Sequence, residues 1–313
     1  MMRYFIRRLL LAIPTLLAML TVVFVLVRLV PGDAAVAMLG DQASEANLAA
    51  LRARLGLDQP LYVQYLGFIG DALRGDLGTS LVSGRPVLEE VANVLPYTLE
   101  LTAAAMIIGT VFGLPLGVWA ALRRNRWEDY FTRLLSLTGL SFPGFVSAIL
   151  LLLAFAVYLR WLPVMSSASG DPLTHLRNLI LPALNLGLIM MAYITRVTRS
   201  SMLNVLGEDY VRTARAKGVR PSRLVMRHAL RNALVPIVTV VGLYFGTLIG
   251  NSVLTEIVFT RPGLGKLILG ALNSRDYTLL QGLMIVFASF VILVNIITDL
   301  VYSLVDPRVS LSK

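Results

Sequence analysis

The sequence predicts an all-α polytopic membrane protein with six transmembrane helices, on three observations. Of 313 residues, 57% are hydrophobic and only 15% charged, with a mean hydropathy of +0.75. A soluble domain carries roughly 25% charged residues, and no aqueous globule of this size could bury so much apolar surface. Apolar runs long enough to cross a core of about 30 Å, at about 1.5 Å per residue, recur along the chain. Finally, 18 of the 28 Lys and Arg fall in segments 1–8, 123–133, 196–231 and 305–313, alternate hydrophilic stretches that the positive-inside rule assigns, with both termini, to the cytoplasm. The net charge of +10 and pI near 10.2 therefore belong to loops rather than to a nucleic-acid surface. With no cysteine and only His175 and His228, the chain offers no disulfide, thiolate site or histidine cluster, so no metal or cofactor is expected.

The first apolar run, Leu9–Val30, follows Arg3, Arg7 and Arg8 and is interrupted only by Pro14 and Arg28. It is longer than the ~7–15 residues of a signal-peptide core, so it is expected to stay as a span although Ala35-Val36-Ala37 mimics a cleavage site. Further spans are expected at Thr98–Leu122, Leu134–Leu159, Leu179–Val197, Ala233–Leu254 and Leu283–Leu304. Between the first two, residues 31–97 read as an external helical cap: Ser44 can cap a run ending at Gly56, and Pro60 opens another ending near Gly75. The stretches around 160–178 and 257–280 read as shorter external loops rich in Pro, Gly and Ser. The expected division is 1–97 for the first span and cap, 98–305 for a five-helix core with a cytoplasmic loop at 198–232, and 306–313 for a tail. No internal repeat or low-complexity segment is evident.

Two spans carry glycines four apart, Gly109, Gly113 and Gly117 in the second and Gly242, Gly246 and Gly250 in the fifth. Such spacing lines one helix face and lets backbones approach, so these read as packing faces. Polar residues within spans are expensive and face a cavity or a partner. Asn295 and Asp299, one turn apart on the last span, and Asn251 and Glu256 on the fifth are the candidates for a pathway. Asp299 is close enough to the cytoplasmic end to serve equally as a structural partner of a basic residue.

The most informative segment runs from Glu208 to Pro236. Glu208 and Asp209 in a first turn, Tyr210, Arg212, Thr213 and Ala214 in the middle, Arg215 and Lys217 in the last turn and Gly218 at the end describe a short, self-contained helix. A second helix follows Pro221, on which Arg223, Arg227 and Arg231 form a basic stripe suited to lipid headgroups or an acidic protein surface. A DNA-binding helix-turn-helix is disfavoured because both ends are tethered to spans.

With these residues in view, the sequence resembles the inner-membrane permease subunits of binding-protein-dependent ABC importers, most closely the first permease of dipeptide, oligopeptide and glutathione systems. The resemblance covers nearly the whole chain and is carried by RYFIRRLLLAIPTL (Arg3–Leu16), LVPGD (Leu29–Asp33), GLDQPLYVQY (Gly56–Tyr65), GDLGTS (Gly75–Ser80), SFPGF (Ser141–Phe145), EDYVRTARAKG (Glu208–Gly218) and FTRPGLGKL (Phe259–Leu267). It implies the type I ABC importer fold, a homologous second permease as heterodimer partner, two cytoplasmic ATPase subunits and an external substrate-binding protein. It also implies that Glu208–Gly218 is the coupling helix that docks on an ATPase. The family's Glu-Ala-Ala, three residues, Gly motif falls on Arg212, Thr213, Ala214 and Gly218, so arginine replaces the glutamate and threonine the first alanine. Further on, Leu230 matches, Arg231 follows it, and the proline arrives only at Pro236. The implied cargo is peptides, with nickel complexes or sugars handled by related branches.

Nucleotide chemistry is missing. The nearest approach to G-x-x-x-x-G-K-[ST], at Gly265-Lys266, has Thr260 for the first glycine and Leu267 for the Ser or Thr. The chain is thus expected to be no enzyme, and ATP hydrolysis to come from partners. An ion-coupled secondary transporter, the rival class, would favour inverted repeats and paired central carboxylates. A pure scaffold would not need a capped inter-span helix.

Overall fold

The computed structural model describes residues 2–29, 36, 44–54, 56–165 and 171–305, the side chains of 2–9, 29, 51, 54 and 299–305 excepted. Among the described residues the structure is helical, with one isolated bridge between Thr79 and Pro86. In chain order the helices are α1 (Met2–Leu29), α2 (Glu45–Arg54), α3 (Leu61–Arg74), α4 (Val87–Leu122), α5 (Trp127–Ser141) and α6 (Gly144–Leu151, continued by a π segment Leu152–Tyr158). Then come α7 (Pro172–Leu206), α8 (Asp209–Ala216), a continuous stretch α9 (Pro221–Val258), α10 (Leu264–Asn273) and α11 (Tyr277–Val305). Five helices, α1, α4, α7, α9 and α11, contain stretches long and apolar enough to cross a membrane.

The third expected span is corrected: Leu134–Leu159 is not one helix. α5 and α6 meet at 104° and satisfy the length and hydropathy of a span only as a bent pair. The cause is SFPGF. Pro143 lacks an N–H and excludes the preceding residue from helical backbone, and Phe142 accordingly lies at φ −88°, ψ 134°. The stretches around 160–178 and 257–280 also hold more helix than expected. Asp171 caps α7 by accepting from the Thr174 N–H at 3.0 Å, with Pro172 in the first turn, so that helix begins before Leu179. The stretch 257–280 contains α10, and Glu89 and Glu90 in the first turn of α4 start that helix well before Thr98.

The chain forms two compact units. One comprises Met2–Pro96 and Gly263–Leu293, the other Tyr97–Pro262 and the chain from Val294. In the first, two helices lie within 31–97 where the sequence predicts them: Ser44 accepts from the Asn47 N–H, and Gly75 ends α3 at φ +77°. α3 is fastened to α1 by Tyr65 edge-on to Phe24, by the Thr21–Tyr65 hydroxyl contact at 2.7 Å and by Arg28 donating to Gln64 at 2.8 Å. The GDLGTS turn has a local purpose. Ser80 Oγ donates to Asp276 Oδ2 at 2.6 Å and the Val82 N–H reaches the same oxygen, while Asp276 caps α11 through the Leu279 N–H. Val87, Val91, Leu264, Ala271 and Leu283 close the core beneath it.

In the second unit α7 is the central post. Its Leu186, Met190 and Ile194 pack with Leu101, Ala105 and Leu248, and further along its Met202 packs with Ala229, Ala233 and Ile237. Asn185, fully buried, ties the broken span to its neighbours: its Nδ2 donates to Gly144 O and Thr255 Oγ1, both at 3.1 Å, and its Oδ1 accepts from Ser147 Oγ at 2.7 Å. Backbone groups freed at membrane depth need such partners, because lipid supplies none.

Candidate functional site

α8 is held on one side and open on the other. Gly207 ends α7, and the extended Glu208 turns the chain into a helix of eight residues, with acidic Asp209 at its positive end and basic Arg215 at its negative end. Val211 is buried completely. Tyr210 reaches the start of α9, where Asn232 Nδ2 donates to its hydroxyl at 2.7 Å and to His228 O at 3.1 Å. Thr213 Oγ1 donates back to Asp209 O, and Arg212 pairs with Asp209 at 3.3 Å on the exposed surface. The helix stops where Val219 N–H bonds Ala214 O across Gly218, whose φ of +75° is the left-handed conformation glycine adopts at least cost. Glu208, Asp209, Arg212, Thr213, Arg215, Lys217 and Gly218 are exposed and Ala214 is half-buried.

The helix after Pro221 runs without a break into the fifth span, through a π segment Leu224–Leu230. Arg223, Arg227 and Arg231 on it are all exposed. α8 is thus a short protrusion anchored between two long helices by a buried valine, a tyrosine and an asparagine. Such an element can transmit a push as a rigid body.

Small-residue faces accompany it. A Cβ at Gly113 would stand 2.8 Å from Met191 O, and one at Gly117 2.7 Å from Thr195 O, so α4 packs backbone to backbone on α7; Gly109 faces Met190. On α9, Gly242 faces Thr298 and Gly246 faces Asn295 Oδ1, whereas Gly250 is exposed with nothing described within 4 Å. Asn251 and Asn295 are exposed. Glu256 is fully buried and accepts from Thr98 Oγ1 at 2.6 Å. The side chain of Asp299 lies outside the described residues.

Two polar clusters escaped the sequence reading. Arg261, buried in the loop after α9, donates to Glu100 Oε2 at 2.6 Å and to Tyr97 O at 3.3 Å, while His175 Nε2 stands 2.8 Å from both oxygens of Glu100. Burial lowers the pKa of Arg261 and the Glu100 carboxylate opposes that shift. Its place in FTRPGLGKL was the available signal. In the other cluster, Asp129 is fully buried and accepts from Arg199 Nε and Nη2 at 2.5 and 2.8 Å and from the Asn125 N–H at 3.0 Å.

Residues 113–311 match the family model described as binding-protein-dependent transport system inner membrane component, and residues 1–102 match the model for the N-terminal part of such membrane components. The chain belongs to this family. It is the permease component of an ABC importer, a multi-pass protein of the bacterial inner membrane. The glutathione transport system permease protein GsiC of Salmonella paratyphi A is 44% identical over 309 residues, and that of Escherichia coli K12 is 42% identical, each match covering 99% of both chains. In fold it is similar to a chain of the MetNI methionine ABC transporter in an inward-facing conformation, at a TM-score of 0.57 and 20% identity over 70% of this chain and 97% of that one. As a permease of this family, the chain works with an ATPase and a binding protein.

Proposed function

We propose that this permease forms one half of a translocation pathway for peptides, di- or oligopeptides including glutathione, and that α8 is its ATPase contact. The observation that carries the reading is the construction of α8, anchored by the buried Val211 and by the hydroxyl of the exposed Tyr210, and presenting Glu208, Asp209, Arg212, Arg215 and Lys217 outward. The 44% identity to permeases named for glutathione transport supports the cargo. In this reading both termini and the loop 198–232 are cytoplasmic, and a distinct homologous permease completes the pathway. Two ATPase subunits supply the hydrolysis for which the chain has no motif. Residues 1–97 carry the first span and the external cap that receives the binding protein, 98–305 the core, and 306–313 a tail. The exposed Asn251 and Asn295 are the residues offered to the pathway, while Glu256 is held within the fold.

The test is uptake of labelled glutathione and of a dipeptide into cells depleted of the host's own systems, with wild-type and Gly218→Pro chains alongside their partner subunits. Wild-type uptake should stop on ATP depletion and survive a protonophore. The variant should assemble into the membrane yet lose uptake and release the ATPase in a mild-detergent pull-down. Unchanged uptake by the variant would sink the coupling role, and sensitivity to the protonophore alone would sink ATP coupling.

A further inference from the structure

A cavity of about 300 Å³ opens between α5 and α7, lined by Thr132, Arg133, Ser136, Leu137 and Leu140 from one helix and Thr195, Arg196, Arg199 and Ser200 from the other. Each set recurs at helical spacing, so each lies on one face. The helices run antiparallel there: Asp129 bonds Arg199, and a Cβ on Gly139 would touch Ala192. The cavity therefore has two unlike ends. Arg133, Arg199 and Ser200 mark the end toward the α7 terminus that leads into α8, and Leu137 and Leu140 mark the end toward the middle of the span.

Charge at the polar end is not balanced. Three guanidinium groups line it, and the carboxylate beside them, Asp129, accepts from Arg199 twice and stands 3.5 Å from Arg133 Nη2. Among the described residues Arg133 Nε is buried with no hydrogen-bond partner, and the exposed Arg196 makes no ion pair. Burying a guanidinium N–H unsatisfied is costly, so a ligand with acceptor oxygens is called for. The depth is set by aromatic side chains: Trp127 and Tyr130, five and two residues before Thr132, are exposed, and Trp127 packs edge-on against Trp119 at 6.4 Å. Exposed Trp and Tyr at a span's end mark the headgroup level of a bilayer.

We propose that this cavity is a binding site for an anionic phospholipid, its phosphate held by Arg133, Arg196 and Arg199 with the hydroxyl of Ser200, and an acyl chain leaving over Leu137 and Leu140. Basic pockets between spans are suited to acidic headgroups, at about 1 kcal/mol per basic residue near the surface. The polar end adjoins the stretch of α7 that carries α8, so the lipid brackets the base of the coupling element. The inference needs only the membrane location of the chain, so failure of the uptake experiment would leave it untouched.

The experiment is a titration of phosphatidylglycerol into the purified full-length chain in phosphatidylcholine nanodiscs, read as lipid retained after release in native mass spectrometry. Wild type should keep one phosphatidylglycerol. Arg196→Gln, an exposed and unpaired position, should bind about five-fold more weakly and Arg133→Gln with Arg196→Gln about thirty-fold, from ~1 kcal/mol for each charge. Leu140→Trp, which fills the apolar end and leaves every arginine in place, should also weaken retention. Equal retention by wild type and Arg196→Gln would overturn the proposal. So would displacement of the lipid by millimolar inorganic phosphate with Leu140→Trp silent, which would make this a site for free anions. Loss of the ATPase rather than of lipid in a pull-down of Arg196→Gln would make it a protein contact, and would equally overturn it.

Discussion

Alanine substitution along the two glycine ladders should give opposite signs within one sequence pattern. At Gly117 a methyl group would lie 2.7 Å from Thr195 O and 2.5 Å from Thr198 Cβ, and at Gly113 2.8 Å from Met191 O. Those obstacles are backbone or the stem of a β-branched side chain, so α4 and α7 must separate. Overpacking of that kind costs about 1–3 kcal/mol, from which the helix gains back roughly 0.5–1 kcal/mol for replacing glycine. The net at Gly117 is a loss of about 1–2 kcal/mol. At Gly250 nothing described lies within 4 Å, so only the propensity term acts and alanine should stabilise by about 0.5–1 kcal/mol. Gly246, whose added methyl would meet only the movable Asn295 amide at 3.2 Å, should fall between them. Thermal unfolding of the purified chain in mild detergent separates these cases: Gly117→Ala should melt about 2–5 °C below wild type and Gly250→Ala about 1–3 °C above it. A Gly250→Ala chain less stable than Gly117→Ala would refute the assignment of the close helix contact to α4 and α7.

Asn185→Leu removes two donated bonds and one accepted bond at the break between α5 and α6, and at about 0.6 kcal/mol for each polar contact within a membrane it should cost roughly 2 kcal/mol. The bend should then loosen. Because the chain has no cysteine, spin labels introduced at the exposed Leu134 and Leu150 can read it, and an unchanged distance distribution would deny Asn185 a role in holding the angle. At Asp171, the hydrogen bonds from the Thr174 side chain and backbone lower the carboxyl pKa. A depressed carboxylate contributes stability above its unfolded pKa, near 3.9, and loses it as pH falls through the folded value. Asp171→Asn keeps the cap without titrating, so wild type should match or exceed it at neutral pH and lose that advantage under acid conditions; parallel melting curves at all pH values would contradict the cap.

Membrane class, most spans and the helices α2 and α3 were legible because they rest on local signals: apolar run length, Ser44 before a helical stretch, and Gly75 and Gly218 at positive φ. The inter-span helix was legible for the same reason, since charges graded from Glu208 to Lys217 and closed by glycine describe a helix whatever surrounds it. The bend at Phe142–Pro143 was written in the sequence too. Hydropathy averaging hid it, because a window cannot register one residue that lacks an N–H. What could not be read were pairings between distant positions. Asp129 with Arg199 and Glu100 with Arg261 join residues 70 and 161 positions apart. No spacing rule encodes them, because each carboxylate has many arginines of equal local merit.

Those distant pairs explain why α8 can be short. A helix of eight residues has too few internal hydrogen bonds to hold its own shape in water, so its stability comes from its anchors. Val211 supplies burial and Tyr210 a directional bond to Asn232, while Asp129 clamps α7 through Arg199 just before that helix gives way to α8. The protrusion cannot tilt against α7 and α9 without breaking one of those anchors. The same construction leaves the exposed residues free to vary. Arg212 takes no part in those anchors, since its contact with Asp209 lies wholly on the exposed surface.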